Sequence, residues 1–205
     1  MKPTNKLMKR LSLYLFLLLF TLQTPSWADD IRDFQIEGMS VGDSLLDYFT
    51  KEEIKKNNRN YTQYKSNKFY VVGMDDENSF KVYDNLDIHL KTNDKKYIIK
   101  GIAGIIYFIK NINDCYKQQD DIVSELSQIF ITAKIDDGGT TVHPADKTGE
   151  SKTTDIYFDF KSGDSAKVSC FDWSEKMTKK FRYGDHLRVS IVTNELSEWL
   201  KNEAF

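Results

Sequence analysis

The sequence predicts an α+β fold: an antiparallel sheet with helices packed on one face, in a single domain that follows a removable leader. Three observations predict it. Strand-like patterns come in runs separated by helices rather than in strict alternation, which favours an antiparallel sheet over a doubly wound parallel one. The most apolar run outside the leader, Ile98, Ile99, Ile102, Ile105, Ile106, Tyr107, Phe108 and Ile109, is apolar on both alternating faces, as a central strand is. Directly after Asn111 to Asp114 the period changes from two to about 3.6. Ile122, Val123, Leu126, Ile129, Phe130 and Ala133 then share one helix face.

Residues 1–28 read as an export signal and are set apart from the fold. Lys2, Lys6, Lys9 and Arg10 precede the run LSLYLFLLLFTL, and small residues at Ser26 and Ala28 suit signal peptidase. The apolar run from Leu11 to Leu22 falls short of the roughly 20 residues that span a bilayer. No cysteine follows the cleavage site before Cys115, so a lipid anchor is not expected. Losing the leader's four basic residues takes the formal net charge from −2 to −6, which argues against nucleic acid as a partner. Residues 29–205 are long enough for one core, and no Pro/Gly/Ser-rich linker divides them.

Along that domain, Ser40 is a candidate N-cap for a helix carrying Val41, Leu45, Leu46 and Phe49. Thr50-Lys51-Glu52-Glu53 is a capping-box sequence, so a second helical segment starts there and splits the first near Thr50. Lys55 to Lys68 reads as a helix end and a loop. Strands are expected over Phe69 to Met74, Phe80 to Tyr83 and Leu86 to Lys91, and Thr92 to Lys95 turns the chain into the central strand. Gly101 and Gly104 within that strand suggest a bulge or a close approach by the opening helix. The stretch 136–152, almost without apolar residues, is expected to be a long exposed loop. Ile156, Phe158 and Phe160 alternate with polar residues, Ser162-Gly163-Asp164 turns, and Ala166, Val168 and Cys170 alternate on the way back. A connection from Trp173 to Gly184 leads to a strand over His186 to Thr193, and Asn194 is expected to cap a last helix bearing Leu196, Trp199 and Leu200. Phe69 to Phe130 and Asp155 to Leu200 each read as strands followed by a helix, a pseudo-repeat without residue-level identity.

Few residues carry a chemical motif. Gly42-Asp43-Ser44-Leu45 resembles the signature of the GDSL esterase family, a likeness that would make Ser44 a nucleophile. The rest of that family's pattern is missing: no buried strand precedes the motif, and none of His89, His143 and His186 has an aspartate three positions before it. Asn111 to Asp114 is similar to the family's Gly-x-Asn-Asp block but lacks the glycine. Without a base to activate it, Ser44 is read as an ordinary turn serine and no catalytic residue is assigned. Asp136, Asp137, His143 and Asp146 have cation-binding chemistry but no recognised spacing, and the histidines share no ligand spacing, so neither a metal nor a cofactor is expected. Aromatics including Tyr61, Tyr64, Phe69, Tyr70, Tyr157, Phe171, Trp173, Phe181, Tyr183 and Trp199 are abundant, and they either form an exposed recognition surface on the sheet or are covered by helices and loops on both faces.

Over Asp29 to Phe49, and less specifically through Cys115 to Phe130, the chain resembles small exported proteins of Pelagibacter-type marine alphaproteobacteria, a group with no assigned activity. That resemblance implies export and a bacterial envelope setting and carries no catalytic residue. Gly38 to Val41 opening a helix before a run of strands is similar, in topology alone, to helix-then-sheet modules of envelope assembly and inhibitor proteins.

Cys115 starts the central helix and Cys170 lies on the apolar side of the second hairpin, so an exported chain is expected to join them in a disulfide. The sequence therefore leads to a periplasmic or secreted module that is non-catalytic. Its expected partner is an unknown envelope protein or small ligand, with no nucleic acid and no stable membrane anchor after cleavage. A small GDSL-like esterase using Ser44 is the alternative.

Overall fold

In the computed structural model, which describes residues 31–59, 64–75 and 80–204, eight strands form one antiparallel sheet. They are β1 (Asn58–Arg59), β2 (Phe69–Met74), β3 (Asn85–Lys91), β4 (Ile99–Tyr107), β5 (Lys134–Val142), β6 (Lys152–Asp159), β7 (Ser165–Asp172) and β8 (His186–Val192). Their order, β1-β2-β3-β4-β8-β7-β6-β5, is that of two four-stranded meanders joined through β4 and β8. The α-helices are α1 (Lys51–Lys56), α2 (Ile112–Ile129), α3 (Glu175–Phe181) and α4 (Asn194–Asn202). The antiparallel α+β fold expected from the sequence is the observed one. The leader lies outside the described residues.

Register fixes which side chains share a face, since directly opposed residues project together. One face carries the rows Leu86, Gly104, Val189, Val168, Ile156 and Ile88, Ile102, Ile191, Ala166, Phe158. Nearly all of these are buried in the main core, which is closed by α2, through Cys115 and Leu126, and by the opening segment, through Ile36, Met39, Val41 and Leu45. The Cys115–Cys170 disulfide joins α2 to β7 with Cα atoms 6.0 Å apart. Beside it, the buried Gln119 side chain of α2 donates to Thr154 O at 2.8 Å and Val168 O at 2.9 Å. The short C-terminal helix adds a smaller layer on the other face. Leu196 lies over Gly101, where any Cβ would meet it, and Trp199 packs on Phe69 and Tyr64 in a cluster separate from the main core. The close approach at Gly101 is thus made by α4, and that at Gly104 by Tyr83, not by the opening helix.

The pseudo-repeat is present in strand order, but its unit begins with the helix. The 3-10 turn Leu45–Asp47 and α1 precede the first meander, while α2 precedes the second and packs on β7. Thr50 and Glu53 form the expected capping box, which starts α1 after the break. Ser40 is not an N-cap: its hydroxyl donates to Phe34 O, its N–H donates to the Asp43 carboxylate, and Gly42 at φ 97° turns the chain there. Phe80 to Tyr83 is not a strand either, because the Glu37 carboxylate accepts the N–H groups of Lys81, Val82 and Tyr83 at 2.7–3.1 Å in place of a neighbouring strand. The last helix is capped at Thr193, with Asn194 its first residue.

The expected loop at 136–152 is instead strand as far as Val142, and only 143–151 is irregular. β5 is an edge strand whose side chains stay exposed while its backbone pairs with β6, with a register shift between Asp137 and Gly139. Polar composition kept it from the core, not from the sheet. The remaining turn is pinned by Asp146, whose carboxylate accepts from Thr148, Ser151 and Ser174.

Candidate functional site

The second face of the sheet is polar, and α4 covers only one end of it. Reading across the strands, Asp87, Ala103, Ser190, Lys167 and Tyr157 form one row, and Asn85, Ile105, Arg188, Ser169 and Asp155 the next. A third row, Tyr107, His186, Phe171 and Thr153, lies toward the end farther from α4. Each of the first two rows runs from β3 to β6, about 19 Å at the usual strand spacing.

Charges on this face are paired across strands. Arg188 Nη1 crosses β4 to donate to Asp87 Oδ2 at 2.8 Å, and Arg59 Nη1 lies 3.9 Å from Asp87 Oδ1. Burial pushes the Asp87 carboxyl up, but Arg188 and Arg59 outweigh burial and hold it below the usual range. Lys167 Nζ lies 3.5 Å from Asp155 Oδ1, and burial lowers its ammonium against that neighbour. The Tyr157 hydroxyl donates to Asp155 Oδ2 at 3.3 Å, while burial pushes the phenol up to about 12. His89, beside Tyr64 at 3.3 Å, is buried, and burial with Arg188 nearby lowers it to about 4.

Three polar atoms on this face are buried without a hydrogen-bond partner among the described residues: Asp87 Oδ1, Asp155 Oδ1 and Ser169 Oγ. They are the full set of such side-chain atoms among the described residues, and all lie on the polar face. Two of them still face a cation, Asp87 Oδ1 with Arg59 at 3.9 Å and Asp155 Oδ1 with Lys167 at 3.5 Å, so the cost of about 1–3 kcal/mol for an unpaired buried group applies in full to Ser169 alone.

Next to the charged rows runs a continuous strip of rings. Phe171 stacks on His186 at 4.4 Å and 10°, His186 meets Tyr107 at 6.0 Å, and Trp173 touches His143 at 4.4 Å and Tyr183 at 4.6 Å. Phe181 continues it, stacked on Tyr183. Burial lowers His186 to about 4, although its Nδ1–H donates to Gly184 O, and burial lowers His143 as well. Several of the aromatics singled out from the sequence, Phe171, Trp173, Phe181 and Tyr183, therefore gather in one strip. Tyr64, Phe69 and Trp199 serve the α4 cluster, Tyr70 packs against the main core, and Tyr61 lies outside the described residues.

The other candidate residues are not brought together. Ser44 caps the 3-10 turn: its hydroxyl donates to Lys96 O at 2.8 Å and accepts from Leu46 N. Gly42 and Leu45 meanwhile hydrogen-bond the backbone at Ile99 and Tyr97, so the Gly-Asp-Ser-Leu block works as an edge-pairing segment. Asp136 and Asp137 lie on β5, His143 joins the ring strip and Asp146 is committed to its turn. Among the described residues no group of three or more His, Cys, Asp or Glu could hold a metal. The Asp87, Asp155, Lys167, Ser169 and Arg188 set was not picked out from sequence. Its signal lies in the polar positions of three strands, Asp87 and His89, Lys167 and Ser169, Arg188 and Ser190.

No family model, no curated protein and no solved structure matches the chain. Among the described residues no helix is long and apolar enough to cross a membrane.

Proposed function

We propose that this chain is an exported, non-catalytic binding or protein-interaction module of the bacterial cell envelope, and that the polar sheet face is its contact surface. The observation that carries the reading is a face on which the Arg188 and Lys167 side chains stay 22% and 31% exposed beside the ring strip. A ligand bearing carboxylate or carbonyl oxygens would accept hydrogen bonds from Arg188 and Lys167, which Asp87 and Asp155 hold in place. The ring strip beside them adds apolar area with fixed geometry, and rigid aromatics anchor interfaces at low entropic cost. The ligand is an envelope protein or a small polar molecule. A periplasmic or secreted setting agrees with the disulfide, a bond kept in oxidising compartments.

Export is tested by the intact mass of the protein recovered outside the cytosol: the reading expects a chain beginning at Asp29, and retention of Met1 contradicts it. Function is tested by crosslinking in envelope extract, with wild type beside Arg188→Ala, and by a p-nitrophenyl ester assay with wild type beside Ser44→Ala. The expected result is a reproducible adduct that weakens in Arg188→Ala, with no serine-dependent turnover. Hydrolysis that disappears in Ser44→Ala would replace the module with the esterase alternative.

A further inference from the structure

Apart from the polar face, a second surface feature stands out at α3 and the residues after it. From Lys176 to Tyr183 the chain reads KMTKKFRY, four cations without an acid in a protein whose overall charge is negative. Met177 is the buried residue of α3, and with it inward, Lys176, Lys179, Lys180 and Phe181 are exposed. Arg182 ends the helix in the left-handed conformation, φ 59°, and is exposed too.

The patch is apolar as well as basic. Phe181 is 47% exposed and Tyr183 40%, with their rings stacked 5.4 Å apart. Lys180 Nζ lies 4.8 Å from the Phe181 ring. Tyr183 also rests on Trp173, which fixes the pair to the domain. Glu175 and Glu150 line the same open concavity as Lys176, Lys179 and Lys180, while Asp185, partly buried beyond Tyr183, accepts from the Trp173 N–H. Lys179 engages Glu175 at 2.6 Å, which leaves Lys176, Lys180 and Arg182 against Glu150.

We propose that this knob is a reversible contact for an anionic lipid headgroup surface. Cations gain from such a surface, and aromatic side chains beside them settle at the headgroup level, which is the combination found here. An acidic polypeptide would be drawn by the cations but would leave the exposed Phe181 without a role. Because the molecule as a whole is acidic, the attraction is local, and it would present the domain in one orientation.

The test is co-sedimentation of the exported protein, disulfide intact, with vesicles of phosphatidylcholine alone or mixed with phosphatidylglycerol. Binding is expected to the mixed vesicles only, with release at 1 M salt, where the screening length falls from about 10 Å at 0.1 M to about 3 Å. Each cation near such a surface is worth roughly fivefold in affinity, so Lys176→Ala with Lys180→Ala should weaken binding roughly 25-fold. Phe181→Ser should weaken it by roughly tenfold. Arg182→Asn, suited to the left-handed backbone, is the second charge variant if the first loses its fold, and matched thermal melts check each. No binding to mixed vesicles, or equal binding to phosphatidylcholine alone, overturns the proposal. So does wild-type binding by Phe181→Ser together with displacement by polyglutamate, which would mark an acidic polymer as the partner.

Discussion

Replacing Cys115 and Cys170 together by alanine should destabilise the domain by several kcal/mol without undoing its architecture. The cysteines are 55 positions apart, and a closed loop of that size is worth about 4 kcal/mol on the chain-entropy account, an upper figure because residual denatured structure reduces it. Both side chains are fully buried, so removing the sulfurs also leaves a small void between α2 and β7. The helix keeps its other attachments, Leu126 and Phe130 in the core and the two Gln119 hydrogen bonds, and unfolding should remain cooperative. Urea titration followed by circular dichroism measures the effect: with a slope of about 2 kcal/mol per molar, the midpoint should fall by roughly 2 M. A fall below about 0.5 M, under 1 kcal/mol at that slope, would refute the reasoning. Two reactive thiols in the denatured wild type without reductant would refute the bond itself.

Two further outcomes follow from the core and the buried histidines. Leu126, 3% exposed on α2, should cost about 2–5 kcal/mol on truncation to alanine, measured by the same titration, and a loss below about 0.5 kcal/mol would make the helix peripheral. His89 is held neutral down to about pH 4, whereas in the unfolded chain it takes a proton near its ordinary value of about 6.5. The unfolded state then binds the proton first, so stability should fall as pH drops from about 6.5 to about 4, by up to roughly 3 kcal/mol from this residue. His186 acts in the same direction, and His89→Gln should flatten part of the slope. Stability that is level across that window contradicts the burial of both rings.

The apolar half of the fold was readable because each buried strand declares itself twice, by composition and by alternation. β3, β4, β7 and β8 fall where Leu86, Ile102, Val168 and Val189 place them, and Cys170 on the apolar side of β7 meets Cys115 as its position implies. β5 was not readable: Lys134 to Val142 joins the sheet through backbone pairing, which leaves little trace in side-chain pattern. Phe80 to Tyr83 misled for the opposite reason. Its side chains alternate as in a strand, but a carboxylate from Glu37, more than forty residues away in sequence, takes its N–H groups. The polar face was half legible. Alternation put Asp87 on the polar side of its strand, but its meeting with Arg188 depends on β4 lying beside β8, a long-range pairing that no local pattern encodes.

The account rests on the polar face being a contact surface, and Lys167 offers the most direct measurement. Its side chain is 31% exposed and its ammonium lies 3.5 Å from Asp155, so Lys167→Gln, which keeps the stem and a donor, should leave the fold intact in a thermal melt. A photoreactive phenylalanine derivative at Tyr157, across the same face, should form an adduct of defined mass in envelope extract. The account predicts that this adduct falls severalfold in Lys167→Gln, and that a probe at Lys117, on the exposed side of α2, forms none. An undiminished adduct in Lys167→Gln, or equal adducts from Tyr157 and Lys117, would contradict it.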